Sequence, residues 1–276
     1  MPTSGTRIRE VTPGIITFST PFYRFAPFGY RQFVAVGNRA TAIRLGDGRI
    51  LLLNPVQIEP SVRSKLMELG GVDLVAADLG HHMYIKDYLE VWPNARTIGV
   101  SGLESKRKDI KWDYIYTDWR SSPEDEFDFA NDFETVLFEG FITYCVAWYH
   151  KPTKTLIQSD LMMNLPSTEQ YHPSSSAQGL FSKEFAKRAH PRSVWAKRLV
   201  YYIATVDYLL MRRDAKKVAD WDFDCIIVCH GDVIENHGKL AWSNLYAWYL
   251  EGSPYPTLSK RLMGPVMRVA RWVFLM

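Results

Sequence analysis

The sequence predicts an α/β fold, and three observations carry that expectation. Short apolar runs of strand length recur along the chain, segments with helical apolar spacing alternate with them, and three of the runs (72–77, 155–158 and 224–228) lead directly into residues that can bind a metal.

Taken in order, residues 8–60 read as antiparallel β-structure: runs 14–19, 32–37 and 40–45, then a Gly46-Asp47-Gly48 turn before 49–54. The aromatic segment 21–30 has two readings, a lid or pocket wall and a loop packed over the sheet edge. Helical spacing through Val62, Leu66 and Leu69 stops at Gly70-Gly71. The buried run 72–77 then feeds the stretch Asp78-Leu79-Gly80-His81-His82-Met83-Tyr84-Ile85-Lys86-Asp87, followed by helical spacing at Tyr84, Tyr88, Leu89 and Trp92 that Pro93 ends. A histidine pair at the C-terminal end of a strand, before a helix, lies where open α/β sheets place their ligand crevice.

A short strand is expected at 97–100, and the charge-rich residues 104–132 read as solvated surface. Two further strands, 135–139 and 142–149, turn at 150–154 into 155–158. The loop 164–178 follows Asp160 and is placed to border a site. Residues 193–218 read as one long amphipathic helix with Trp195, Leu199, Tyr202, Val206, Leu209 and Leu210 on its apolar face; strand 224–228 and helix 238–250 complete the pattern. With no repeat or linker, residues 1–276 are expected to form a single domain. It ends in an amphipathic helix (258–276) that Gly264-Pro265 breaks early, with Lys260, Arg261, Arg268 and Arg271 on a basic face. That helix either closes the domain or makes weak contact with an anionic membrane surface.

Composition narrows the function. With 47% hydrophobic and 23% charged residues the chain is globular, and a net charge of +3 gives no argument for a nucleic-acid partner. An aromatic content of 14% suits an apolar pocket. Cys145, Cys225 and Cys229 sit in apolar runs and suit reduced, buried thiols. The N-terminal residues lack a signal peptide's apolar core, and no apolar run nears the ~20 residues of a spanning helix, so a cytoplasmic location is expected.

Imidazoles bind zinc or iron well, and neighbouring histidines on a tight turn can aim at a common point; a packing role, one capping the turn and the other beneath it, is the other reading. Lys154-Thr155-Leu156-Ile157-Gln158-Ser159-Asp160 and Cys229-His230-Gly231-Asp232 supply similar strand-end ligands.

These phrases, with Gly37-Asn38-Arg39-Ala40-Thr41-Ala42, resemble the metallo-β-lactamase superfamily over roughly residues 8–250, in a divergent branch with an incomplete motif. The resemblance implies a four-layer αββα sandwich with metals at one edge. In the superfamily motif His-x-His-x-Asp-His, the first two histidines fall on Ala77 and Leu79, His81 replaces the aspartate, and His82 matches the third histidine. The middle-hairpin histidine falls near Phe141, unless His150 substitutes. One metal site is thereby lost. His81, His82, Asp160 and His230 map onto the other, which implies one divalent ion: zinc, or iron or manganese if water completes a larger shell.

The expected function is hydrolysis of an ester, lactone, thioester or similar small molecule by water on that ion, with Asp160 holding the metal and Tyr84 and Asp87 orienting substrate. The alternative is a binding protein that keeps the fold without turnover. Redox chemistry at a di-iron centre would need the ligands that Ala77, Leu79 and Phe141 replace. No Gly-x-Ser-x-Gly elbow is present, so no covalent intermediate is expected. Asp232 and His237 lie close enough in sequence to support His230.

Overall fold

The computed structural model describes residues 5–24, 34–171, 182–253 and 255–275. The first half contains β1 (Arg7–Thr12), β2 (Ile15–Thr20), β3 (Tyr23–Arg24), β4 (Val34–Ala35), β5 (Asn38–Arg44), β6 (Ile50–Leu53), α1 (Pro60–Glu68), β7 (Leu74–Ala76), α2 (Ile85–Val91), β8 (Arg96–Val100), α3 (Leu103–Lys106), β9 (Tyr114–Tyr116) and α4 (Pro123–Glu126). The second half contains β10 (Phe133–Leu137), β11 (Val146–His150), β12 (Thr155–Gln158), α5 (Ser182–Ala186), α6 (Val194–Arg198), α7 (Tyr208–Asp220), β13 (Cys225–Val228), α8 (Gly238–Leu250) and α9 (Leu258–Leu275).

Two mixed sheets form, in the orders β1-β2-β5-β6-β7-β8-β9 and β10-β11-β12-β13. Strand periodicity then builds the layers. On β6, Leu51 and Leu53 face a core between the sheets, while Ile50 and Leu52 face a second core shared with Val62 and Leu66 of α1 and Tyr88 of α2. On β13, Cys225 and Ile227 join the core between the sheets, while Ile226 and Val228 pack with Met211 and Val218 of α7 and Trp242 and Tyr246 of α8. Both faces of each sheet are thus covered, giving helix, sheet, sheet and helix layers.

Several boundaries differ from the sequence reading. Residues 193–218 are not one helix: α6 passes into a π-helical turn at 199–204, the chain extends at Thr205, and Asp207 caps α7 by accepting from Leu209 N and Leu210 N. The restart shifts the helical phase, so Trp195, Leu199 and Leu209 are exposed while Val200, Tyr201 and Met211 are buried. The 104–132 region adds β9 to the first sheet, and its Glu124 is buried, accepting from Thr135 N and Oγ1. The expected strand 142–149 starts only at Val146, because Phe141–Tyr144 forms a turn, with Tyr144 N donating to Phe141 O. Most of the aromatic segment 21–30, and residues 172–178 of the loop after Asp160, lie outside the described residues.

The C-terminal helix also departs from expectation. Pro265 removes one backbone hydrogen bond, yet α9 runs through it. Anchors on both sides hold it: Lys260 Nζ donates to Thr205 O at 2.7 Å, and Arg271 donates to the carbonyls of Glu139 and Phe141 and lies 4.0 Å from the Tyr144 ring centre. Lys260 and Arg271 therefore turn inward while Arg261 and Arg268 stay exposed, and Leu258, Leu262, Val266 and Val269 are 57% to 74% exposed. Among the described residues no helix is long and apolar enough to cross a membrane.

Candidate metal centre

The first candidate ligand, His81, is placed by the turn after β7. Asp78 Oδ1 accepts from Gly80 N at 2.8 Å and His81 N at 3.1 Å, an Asx turn that reverses the chain within three residues. Its other oxygen takes the Ser159 hydroxyl, which ties the turn to the end of β12 in the second sheet. Gly80 is the close approach: a Cβ there would lie 2.9 Å from Asp160 Oδ2. Burial raises the Asp78 pKa; His81 lowers it and Asp160 raises it further.

Asp160 leaves β12 in a loop closed by Gln158, whose amide accepts from Met162 N and donates to Met162 O, both at 3.0 Å. His230 leaves the parallel strand β13. Its carbonyl accepts from Asn164 N at 3.0 Å, and Gly231 follows at φ +114°, where a side chain would strike the Asn164 carbonyl.

These turns bring three side chains together. His81 Nε2 lies 3.4 Å and His230 Nε2 3.1 Å from Asp160 Oδ1, and one ligand atom from each residue falls within 4.8 Å of the other two. All three side chains are at least nine-tenths buried. Burial works against charge on Asp160, but the neighbouring His81 and His230 imidazoles outweigh it and hold the carboxyl well below the usual range.

The His230 tautomer gives a direct test of fit. Its Nδ1 lies 2.7 Å from Gly37 O, and a carbonyl only accepts, so Nδ1 carries the proton. In a neutral ring Nε2 is then a lone pair, buried without a hydrogen-bond partner and aimed at a carboxylate oxygen. Two acceptors that close need a proton or a metal ion between them. Ligand atoms ~2.0–2.2 Å from a tetrahedral zinc lie ~3.3–3.5 Å apart, near the two separations observed. The N/O donor set fits a zinc-like ion.

His82, expected beside His81, is not brought into this cluster. Its Nδ1 lies 3.4 Å from Arg107 Nη1, and the same guanidinium donates to its carbonyl. Burial first, then Lys106 and Arg107, lower its pKa to about 4. Cations on that side also repel a metal. His150 lies opposite Thr155 at the far end of its sheet from Asp160, with Nδ1 2.8 Å from Thr153 Oγ1. Ala77, Leu79 and Phe141 are buried, each in a different hydrophobic cluster. Cys145, Cys225 and Cys229 are free and buried. Asp232 binds the 168–170 turn, and His237 precedes α8, its N–H on Asp224.

A cleft of about 340 Å³ opens on the cluster, lined by His81, His230, Phe22, Val56, Gln57 and Tyr84 among others. The Phe22 ring stacks over His230 at 6.2 Å between centroids. Tyr84 thus lies at the site, whereas Asp87 is not among the described lining residues. Sequence reasoning gave no role to Asp78 or Gly37, whereas Phe22, which lines the cleft, falls in the aromatic segment read as a lid or pocket wall or as a packed loop. The Asp-x-Gly spacing signals the Asx turn at Asp78, but no local pattern marks Gly37, whose partner His230 is far away in sequence.

No family model matches this chain, and no curated protein matches it by sequence. Solved structures do. The FIM-1 metallo-β-lactamase of Pseudomonas aeruginosa, in its mono-zinc form, aligns with 91% of this chain and 97% of its own at a TM-score of 0.57 and 11% identity. A metallo-β-lactamase from Hirschia baltica aligns with 92% of this chain and 100% of its own at 0.56 and 12% identity. Rubredoxin oxygen:oxidoreductase from Desulfovibrio gigas reaches 0.61 at 12% identity over 88% of this chain, which spans 61% of that longer protein.

Proposed function

We propose, for a chain with the metallo-β-lactamase fold, that it is a mononuclear metal-dependent hydrolase of an ester, lactone, thioester or similar small molecule, with His81, Asp160 and His230 as the protein ligands. The observation that carries the metal is the buried Nε2 lone pair of His230, aimed at the Asp160 carboxylate. When bound, a divalent ion supplies Lewis acidity toward water and a carbonyl oxygen.

The chain's own residues do the rest. Gly37 O holds the His230 proton on Nδ1, and the Asp78 turn and the Gln158-closed loop fix His81 and Asp160. Phe22, Pro55 and Val56 give the cleft apolar walls that receive an apolar substrate group and exclude water, and Tyr84 is assigned the orienting role. The buried thiols, their pKa values raised by burial, offer no nucleophile.

The test is metal content of protein purified without chelators, followed by a screen of esters, lactones and thioesters. About one zinc per chain, with turnover lost on chelation and in Asp160→Asn, is the expected result. Turnover that survives both overturns the mechanism. Metal without turnover favours the binding-protein alternative, which the apolar burial of Ala77, Leu79 and Phe141 supports.

The outward stripe of α9 supports a separate proposal about partners, weak contact with an anionic lipid surface. The helix has no acidic residue, and it carries exposed Arg261 and Arg268 along with exposed Leu258, Leu262, Val266 and Val269. Full-length protein is expected to co-sediment with anionic vesicles and to lose that binding in Leu262→Asp/Val266→Asp. Equal recovery of the two proteins overturns it.

A further inference from the structure

Arg39, on β5, is a wholly buried cation whose every guanidinium nitrogen is engaged. Nε donates to Ser19 Oγ at 3.0 Å and Nη2 to Glu169 Oε2 at 2.8 Å. Nη1 donates to two carbonyls, Val228 at 2.6 Å and Gly231 at 2.9 Å. Those carbonyls bracket Cys229 and His230, so one nitrogen grips the backbone on both sides of the ligand.

The grip is continuous with the contact that fixes the ring. Gly37, whose carbonyl holds the His230 Nδ1 proton, precedes Arg39 by two residues, so the start of β5 delivers both the ring's partner and the backbone clamp. Neighbouring contacts reinforce it: Cys229 Sγ donates to Arg39 O, while Gln170 donates to Cys229 O and accepts from Gly231 N. Glu169 supplies the counter-charge and is itself fixed by Arg9 and by Val233 N. A sheet staple needs no fork around one side chain.

We propose that Arg39, neutralised by Glu169, is a positioning residue that sets His230 Nε2 against Asp160 and so tunes the metal affinity of the site. The proposal rests on the metal reading above. Lysine is a poor substitute, because its single nitrogen lacks the planar fork that spans several acceptors. Removing both charges avoids the cost of stranding Glu169.

The experiment compares wild type, Arg39→Met/Glu169→Gln and Arg39→Lys. Zinc affinity is read by competition with a chromophoric chelator, folding by thermal melting, and the His230 ring by its Nδ1–H proton resonance in metal-free protein. The double variant is expected to melt cooperatively, bind zinc about 10–100-fold more weakly, as removal of outer-shell support typically does, and shift or lose the Nδ1–H signal. Wild-type zinc affinity in a folded double variant overturns the proposal. Should the double variant fail to fold, the same affinity and proton signal in Arg39→Lys decide it. A wild type that binds no zinc refutes the metal reading instead; the clamp is then supported by an altered Nδ1–H signal and overturned by an unchanged one.

Discussion

Of the two histidines on the turn after β7, His81 is buried against Asp160 and His230, whereas His82 is half-buried against Arg107 with Lys106 nearby. The peptide between them is where the chain passes from the Asx turn toward α2, and the side chains diverge there. His81 thus meets a carboxylate and His82 meets cations. Residue type made both candidates; the charge of the neighbours separates them.

The strongest way to break this comparison is to remove each ligand in turn. His81→Ala or Asp160→Asn is expected to weaken zinc binding more than the ~100-fold upper range for outer-shell changes, while His82→Ala stays within about threefold in the same chelator competition. Equal losses would return His82 to the ligand set. A smaller effect is expected from Gly80→Ala. The new methyl, 2.9 Å from Asp160 Oδ2, pushes the carboxylate off its position and weakens zinc binding about tenfold. An unchanged affinity would mean that the carboxylate's position is not critical.

The rule that neighbours set a group's protonation can be sharpened far from the site. Lys260 has its pKa lowered from 10.5 to about 8 by burial, with Asp207 working in the opposite direction. The unfolded chain keeps that proton up to its ordinary pKa while the folded chain releases it near 8, so between those values the unfolded state binds more protons and stability rises with pH. Below 8 both states are protonated and this group adds no pH dependence. The melting temperature of wild type is expected to rise by a few degrees relative to Lys260→Met between about pH 8 and 10. Parallel curves would refute it. Smallest of all, Leu262→Ser, at a position 68% exposed, is expected to shift stability by no more than about 0.5 kcal/mol in chemical denaturation.

Much of this was legible in the chain. The runs before Asp78, Asp160 and His230 carry apolar residues on both faces, as strands sandwiched between helices and a second sheet must, and the turn residues after them mark the edge that carries the candidate site. Helix 238–250 was legible because His237 and Gly238 start it after a clear polar break. The partition of His81 and His82 was not, since it depends on Arg107, twenty-five positions away from His82. The continuity of α9 through Pro265 was equally hidden. Local propensity argues for a break, and the bonds from Lys260 and Arg271 that override it land on loops elsewhere in the chain.

The spread of the three candidate ligands along the chain bears on how the proposed site would assemble. His81 and Asp160 are 79 positions apart, and His230 follows only after α7 and β13. During synthesis the first sheet and its helices emerge well before the third ligand exists. Until residue 230 is made, a nascent chain has at most two of the three candidate donors, so the proposed site cannot close before β13 exists. On the metal reading proposed above, ion capture would follow synthesis of β13 and would add its binding free energy to the stability of the assembled sandwich.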